Sequence, residues 1–129
     1  MKLDLGLLIL RVSAGLMMAL GHGWGKLTGF STIVTRFPSL FGLGSKVSLA
    51  LAVFAEFFCA LAVVVGFKTR WAAVPVAITM LVAAVIVHSA DPWSKKELAL
   101  LFAVPFITLF FTDGGRFSVD SFTRAKGRR

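Results

Sequence analysis

Three ionisable side chains, His22, His88 and Glu97, fall near the ends of long apolar runs in this sequence of 129 residues. Histidines and carboxylates can bind a metal, donate hydrogen bonds to the carbonyl of a quinone, or relay protons. No two histidines share a metal-binding spacing, so a polar small-molecule site is favoured over a metal site, and a structural or interfacial role of the cluster is the alternative to both. Glu97 has a structural alternative, because Ser94 and Glu97 fit the capping box that begins many helices.

Two further ionisable residues, Arg11 and Glu56, lie deeper inside the apolar runs. Either charge would cost several kcal/mol if it faced lipid. If the first two helices are counted from one membrane surface, both residues lie at similar depth. We therefore expect Arg11 and Glu56 to form an ion pair, which either locks two helices together or handles protons or a ligand inside the protein.

The apolar runs themselves predict the fold. They occupy residues 5–27, 47–67, 71–90 and 98–112, the last extending back to residue 94 through three charged residues. About 20 apolar residues cross a bilayer as a helix, and runs this continuous do not suit barrel strands. We predict an all-α, multi-pass integral membrane four-helix bundle. Antiparallel threading would then bring His22, His88 and Glu97 together in one pocket at the outer ends of the helices.

The connection between the first two runs is also patterned. Its apolar residues recur at the spacing of one helical face, namely Phe30, Ile33, Val34, Phe37 and Phe41. This spacing predicts a short amphipathic helix in the membrane interface that stops near Pro38.

The net charge of +8 does not indicate nucleic-acid binding in a chain that is 57% hydrophobic. Basic residues concentrate instead on the side that carries both ends of the sequence, which predicts that both termini are cytoplasmic. We assign residues 1–122 to one four-helix domain and residues 123–129 to a disordered basic cytoplasmic tail that favours anionic lipid. A single cysteine, Cys59, excludes an internal disulfide, and we interpret it as a packing residue.

Four motifs resemble the DoxX family of small bacterial membrane proteins. They are the first run with an early arginine and HGWGKL at its end, AEFF at residues 55–58 with a later glycine, ELALL at residues 97–101, and DGGRFSVD at residues 113–120. The resemblance covers about residues 5–122 and implies the bacterial cytoplasmic (inner) membrane. It implies links to quinone-linked sulfur oxidation, oxidant resistance and thiol-related redox complexes. The family's recurring charged positions match Arg11, His22, Lys26, Glu56, Glu97 and Arg116.

Three functions are compatible with these residues. The first is a redox-associated membrane subunit, at most one part of an oxidoreductase, that binds a quinone. In it Arg11 and Glu56 set the internal polarity while His22 and Glu97 exchange protons or hydrogen bonds. The second is a non-enzymatic scaffold that docks partners, and the third is a permease that would require an oligomer. The expected partners are membrane lipid and either further copies of the chain or a soluble redox protein; we expect no metal and no nucleic acid.

Overall fold

The computed structural model describes residues 1–128, and over this range the chain is helical without strands. We number six helices in chain order: α1 Lys2–Thr28, α2 Phe30–Ile33, α3 Ser45–Val65, α4 Thr69–Val87, α5 Trp93–Thr112 and α6 Val119–Gly127. Each of the four apolar runs forms one long helix, so the all-α prediction is confirmed.

Three of the helices, α1, α3 and α4, are long and apolar enough to cross a membrane. Helix α5 has 20 residues, but its first turns carry Lys95, Lys96 and Glu97. Its uncharged part, residues 98–112, is shorter than the roughly 20 residues of a full span. Length and composition therefore support three of the four predicted spans directly.

The long helices pack in a closed order, because α1 contacts α3, α3 contacts α4, α4 contacts α5, and α5 returns to α1. Small residues, mostly alanine, fill the interior together with Met18, Phe106 and Leu109. Large apolar side chains point outward along the same helices, for example Ile9 (61% exposed) and Leu101 (65%). A helix that is apolar on all sides suits a lipid environment.

Contacts at the ends of the helices fix their directions. Arg70 Nε, at the start of α4, donates to the carbonyl of Phe110 near the end of α5, at 2.8 Å. Asp4 Oδ1, at the start of α1, accepts from the backbone N–H of Arg116 at 3.0 Å. We call this the terminal end of the molecule. The other end, which carries residues 29–44 and 88–92, is the loop end.

A hydrogen-bonded cluster, the terminal clasp, joins the helices at the terminal end. It consists of Arg11, Gly66, Phe117 and Asp120. The Asp120 carboxylate accepts from the first amides of α4, those of Lys68 (2.7 Å) and Thr69 (2.9 Å). The amide of Asp120 donates to the carbonyl of Gly66 at 2.9 Å.

Gly66 ends α3 in the left-handed conformation, at φ 79°. Its amide and that of Phe67 turn back to the carbonyls of Val63 and Ala62, which is the Schellman arrangement. A Cβ atom at Gly66 would lie 2.4 Å from the Cβ atom of Ser118. The turn therefore requires glycine both for its backbone angle and for its space.

Three local predictions were wrong. The helix after α1 spans only Phe30–Ile33, and residues 34–37 form turns instead of continuing it. Helix α5 begins at Trp93 without a side-chain cap, so Ser94 and Glu97 form no capping box. The tail predicted to be disordered is helical as far as Gly127, because Ser118 Oγ accepts from the Ser121 amide and starts α6; Arg129 lies outside the described residues.

Candidate functional site

A buried ion pair joins α1 and α3 near the loop end. Lys26 Nζ lies 2.8 Å from Glu56 Oε1, with the Lys26 side chain 25% exposed and the Glu56 side chain only 3% exposed. The carboxylate is therefore the more deeply enclosed partner. Removal of one partner from such a pair destabilises a protein, because it leaves a buried charge without its counter-ion.

The backbone around this pair departs from regular α-helix on both sides. Residues Ala19–Gly23 of α1 and Phe54–Cys59 of α3 are π-helical, and the two segments contact each other. A Cβ atom at Gly23 would lie 2.5 Å from the carbonyl oxygen of Glu56. Glycine thus allows a close approach of the helices where the ion pair forms. Such π-helical turns are rare in proteins, and those that occur are often found at functional sites.

The ion pair contributes to the wall of a half-open cavity of about 660 Å³ at the loop end. One face of α3 forms one wall with Ser48, Leu51, Ala52 and Glu56, which recur at helical spacing. The outer half of α4 forms the opposite wall, and residues 33–43 cover the end. The wall is mainly apolar, and its polar side chains are Lys26, Arg36, Ser48, Glu56, Thr79 and His88.

Hydrogen bonds hold the covering loop in place. Ser48 Oγ accepts from the Leu40 amide at 2.9 Å, and Ser45 Oγ donates to the Phe37 carbonyl at 2.6 Å. Both serines belong to the first turn of α3. The cover and the α3 wall therefore form one connected structure.

His88 lies at the edge of the cavity and is oriented by Asp91. Its Nδ1 lies 2.6 Å from Asp91 Oδ2, and this hydrogen bond lowers the pKa of the exposed Asp91 carboxyl from its ordinary value. A carboxylate bound to Nδ1 fixes the ring and leaves Nε2 for another partner. His88 is thus an oriented hydrogen-bonding group at the edge of the cavity.

The cavity combines features that suit a lipophilic molecule with a polar head. Ligand sites are mostly apolar with a few placed polar groups, and volumes of 300–1,000 Å³ are usual. The Lys26 ammonium can donate a hydrogen bond, and the Glu56 carboxylate can accept one. Among the described residues, no three of the His, Cys, Asp and Glu side chains lie close enough to hold a metal ion.

Comparison with known proteins assigns the family. The model of the DoxX family matches residues 6–89, more than half of the chain. The chain belongs to the DoxX family. The matched region contains α1 to α4 and with them the ion pair and the cavity. Searches of curated proteins and of solved structures found no significant match.

In this DoxX protein the predicted pair of Arg11 with Glu56 does not form. The Arg11 guanidinium donates instead to backbone carbonyls of Val63 (3.2 Å), Val64 and Phe117 (2.5 Å), while Glu56 pairs with Lys26. The reason is the axial register of the helices. The first turns of α1 extend past the end of α3, so Arg11 lies level with Val63 and Glu56 lies level with Gly23.

The predicted pocket of His22, His88 and Glu97 does not coincide with this cavity. The loop-end cavity includes His88 but neither His22 nor Glu97. The His22 ring packs edge-to-face on Phe102 of α5, with centroids 5.2 Å apart, and Glu97 is exposed near the start of α5. The neighbouring helices explain this result, because His22 lies toward α5 whereas the cavity lies between α3 and α4.

Lys26 belongs to the site although the sequence did not predict it as a candidate site residue. It lies four residues after His22, near the end of α1. The motif HGWGKL contains it, and the family resemblance includes Lys26 among its recurring charged positions. Cys59 is buried in the core, as its packing interpretation predicted.

Proposed function

We propose that this DoxX protein is a redox-associated membrane subunit that binds a quinone-type lipophilic ligand in the loop-end cavity. The observation that carries the proposal is the mainly apolar cavity with the ion pair of Lys26 and Glu56 in its wall. The predicted residues Glu56 and His88 remain in the proposed site, and Lys26 joins them. Arg11, His22 and Glu97 lie outside it.

The chemistry of the wall matches the two ends of such a ligand. A quinone carbonyl can accept a hydrogen bond from the Lys26 ammonium, and a quinol hydroxyl can donate one to Glu56. Apolar side chains such as Leu51 and Met80 suit the ring. Leu51 (52% exposed) and Ile78 (55%) lie at the open side between α3 and α4, where an apolar tail can continue into lipid. The electron transfer would belong to the quinone and a soluble redox partner.

We also propose that α5 completes a membrane-spanning four-helix bundle in the bacterial cytoplasmic membrane. Arg70 at the start of α4 bonds to Phe110 near the end of α5, so the two helices run side by side in opposite directions. Because α4 is long enough to cross the membrane, α5 crosses it as well. The terminal end then faces the cytoplasm, in agreement with the distribution of lysine and arginine.

Quinone binding can be tested on the purified full-length chain in a neutral detergent. Solvent extraction and chromatography would identify bound quinone, and titration with a short-chain ubiquinone analogue would quench tryptophan fluorescence. With the analogue titrated in its oxidised and its reduced form, we expect Lys26→Met to weaken binding of the quinone about tenfold and Glu56→Gln to weaken binding of the quinol about tenfold, since each removes a charge-assisted hydrogen bond.

Glu97→Gln is the matched control, because it neutralises an exposed carboxylate outside the cavity. It should bind like the wild type. If neither extraction nor saturable quenching reveals quinone, the proposal is wrong. Equal losses in Glu97→Gln and Glu56→Gln would also contradict the assignment of the site to this cavity.

A second candidate function, the non-enzymatic scaffold, is favoured by the close contact at Gly23. There the ion pair and the π-helical segments serve only to join α1 to α3. The scaffold predicts that Lys26→Met and Glu56→Gln lower thermal stability in a protein that binds no quinone. Measurement of stability and binding on the same samples separates the two functions.

A further inference from the structure

A second groove, at the terminal end, has the opposite character to the loop-end cavity. It measures about 460 Å³ and lies between the start of α1, the end of α5 and helix α6. Three arginines line it, Arg116, Arg124 and Arg128, together with Asp4 and Asp113. The groove is therefore lined by more positive than negative side chains.

The acidic residues of this groove already have partners. Asp113 Oδ2 lies 3.0 Å from Arg124 and 4.0 Å from Arg70. Asp4 accepts from the Arg116 amide and lies 3.6 Å from the terminal amino group. Among residues 1–128, the guanidinium groups of Arg116 and Arg128 form no ion pair. Two arginines thus remain available for an external anion.

The turn that carries Arg116 is fixed against α1. Asp113 and Gly115 both have positive φ angles, of 64° and 78°. A Cβ atom at Gly115 would lie 3.2 Å from Leu7, so the turn lies directly on the first helix. This packing holds the backbone at Arg116 in position before any ligand binds.

We propose that this groove binds the phosphate group of an anionic phospholipid of the adjoining leaflet. The planar guanidinium groups of Arg116 and Arg128 match the oxygens of a phosphate diester. Three exposed phenylalanines are next in sequence to residues that line the groove, namely Phe111 (73% exposed), Phe117 (42%) and Phe122 (76%). These rings can contact acyl chains, whereas a free phosphate ion would gain nothing from them. The site is independent of quinone binding at the loop end.

The test uses native mass spectrometry of the full chain in a neutral detergent. The probes are dioleoyl phosphatidylglycerol and dioleoyl phosphatidylcholine, which share their acyl chains and differ in net charge. We expect the wild type to prefer phosphatidylglycerol. The double variant R116Q/R128Q should lose this preference, with roughly fivefold weaker binding for each arginine removed.

The double variant K95Q/K96Q is the matched control, because it removes two positive charges at the loop end. It should retain the preference for phosphatidylglycerol. Because the removed guanidinium groups bond to no other side chain within residues 1–128, R116Q/R128Q should keep the thermal midpoint of the wild type. An R116Q/R128Q variant that still prefers phosphatidylglycerol would overturn the proposal. Displacement of the lipid by millimolar inorganic phosphate would overturn its assignment to a lipid.

Discussion

At the scale of single residues, Lys26 and Glu56 are enclosed to different extents. The Glu56 side chain is 3% exposed and the Lys26 side chain 25% exposed. A lysine near a helix end can extend its ammonium group toward the membrane surface, but a buried carboxylate has no such path. Loss of the lysine therefore leaves the more costly group behind.

The first prediction follows from this difference. Lys26→Met should lower the free energy of unfolding by about 3 kcal/mol, because it leaves Glu56 without its cation. Glu56→Gln should cost only about 1 kcal/mol, since the amide oxygen still accepts from Lys26. Thermal unfolding in detergent, followed by circular dichroism, measures both. The double variant should recover part of the loss, and strictly additive effects would show that the ion pair is not coupled.

The second prediction concerns Arg11, whose hydrogen bonds within the described part of the chain all go to backbone carbonyls. Its targets include the last turn of α3, whose carbonyls carry the negative end of the helix dipole. Arg11→Lys should lower stability by about 2 kcal/mol although it keeps the charge, because an ammonium group cannot reproduce the guanidinium geometry.

The combination of Arg11→Met with Glu56→Gln tests the register of α1 and α3. The two substitutions should be additive within about 0.5 kcal/mol, because the side chains share no partner. The same unfolding measurement applies. A coupling well above that limit would restore the direct pair that the sequence suggested.

At the scale of elements, the close contact of the two π-helical segments depends on Gly23. Gly23→Ala should lower stability by about 2 kcal/mol and weaken quinone binding, since the new methyl group would meet the Glu56 carbonyl at 2.5 Å. Gly21→Ala is the control, because no atom lies within 4 Å of its added Cβ and it belongs to the same segment. We expect Gly21→Ala to change stability by less than about 1 kcal/mol. Equal effects of the two variants would exclude the close contact as their cause.

The elements also show what the sequence could predict. Apolar runs long enough for a bilayer predicted the four long helices, because burial in lipid requires this composition. The relative axial position of α1 and α3 was not predictable, since it depends on Gly15 and Gly23 packing against particular turns of α3. Because the register was wrong, the sequence predicted a pair of Arg11 with Glu56, whereas each of them has a different partner in the structure. The cavity could not be anticipated either, because its walls come from two helices and a loop without a shared motif.

At the scale of the whole molecule, the proposed orientation in the membrane rests on the distribution of basic residues. The terminal end carries Lys68, Arg70 and Arg116 together with the basic residues of α6. We predict that alkaline phosphatase fused after Arg129 is inactive, because the proposed orientation places the terminal end in the cytoplasm. A fusion within residues 29–44 should be active. The reverse pattern of activities would contradict the proposed orientation, and two fusions of the same kind would contradict the even number of spans.

The terminal clasp has a consequence for the synthesis of the chain. Arg11 and Phe117 are 106 residues apart. At a synthesis rate of roughly 5–20 residues per second, Phe117 is therefore added roughly 5–20 seconds after Arg11. During that interval the Asp120 carboxylate is also absent from the start of α4. In a nascent chain the buried Arg11 guanidinium therefore lacks one of the carbonyl acceptors that it has in the finished chain. We expect chains truncated before Phe117 to be degraded faster than full-length chains in a pulse–chase measurement, and equal lifetimes would show that the cell does not distinguish them.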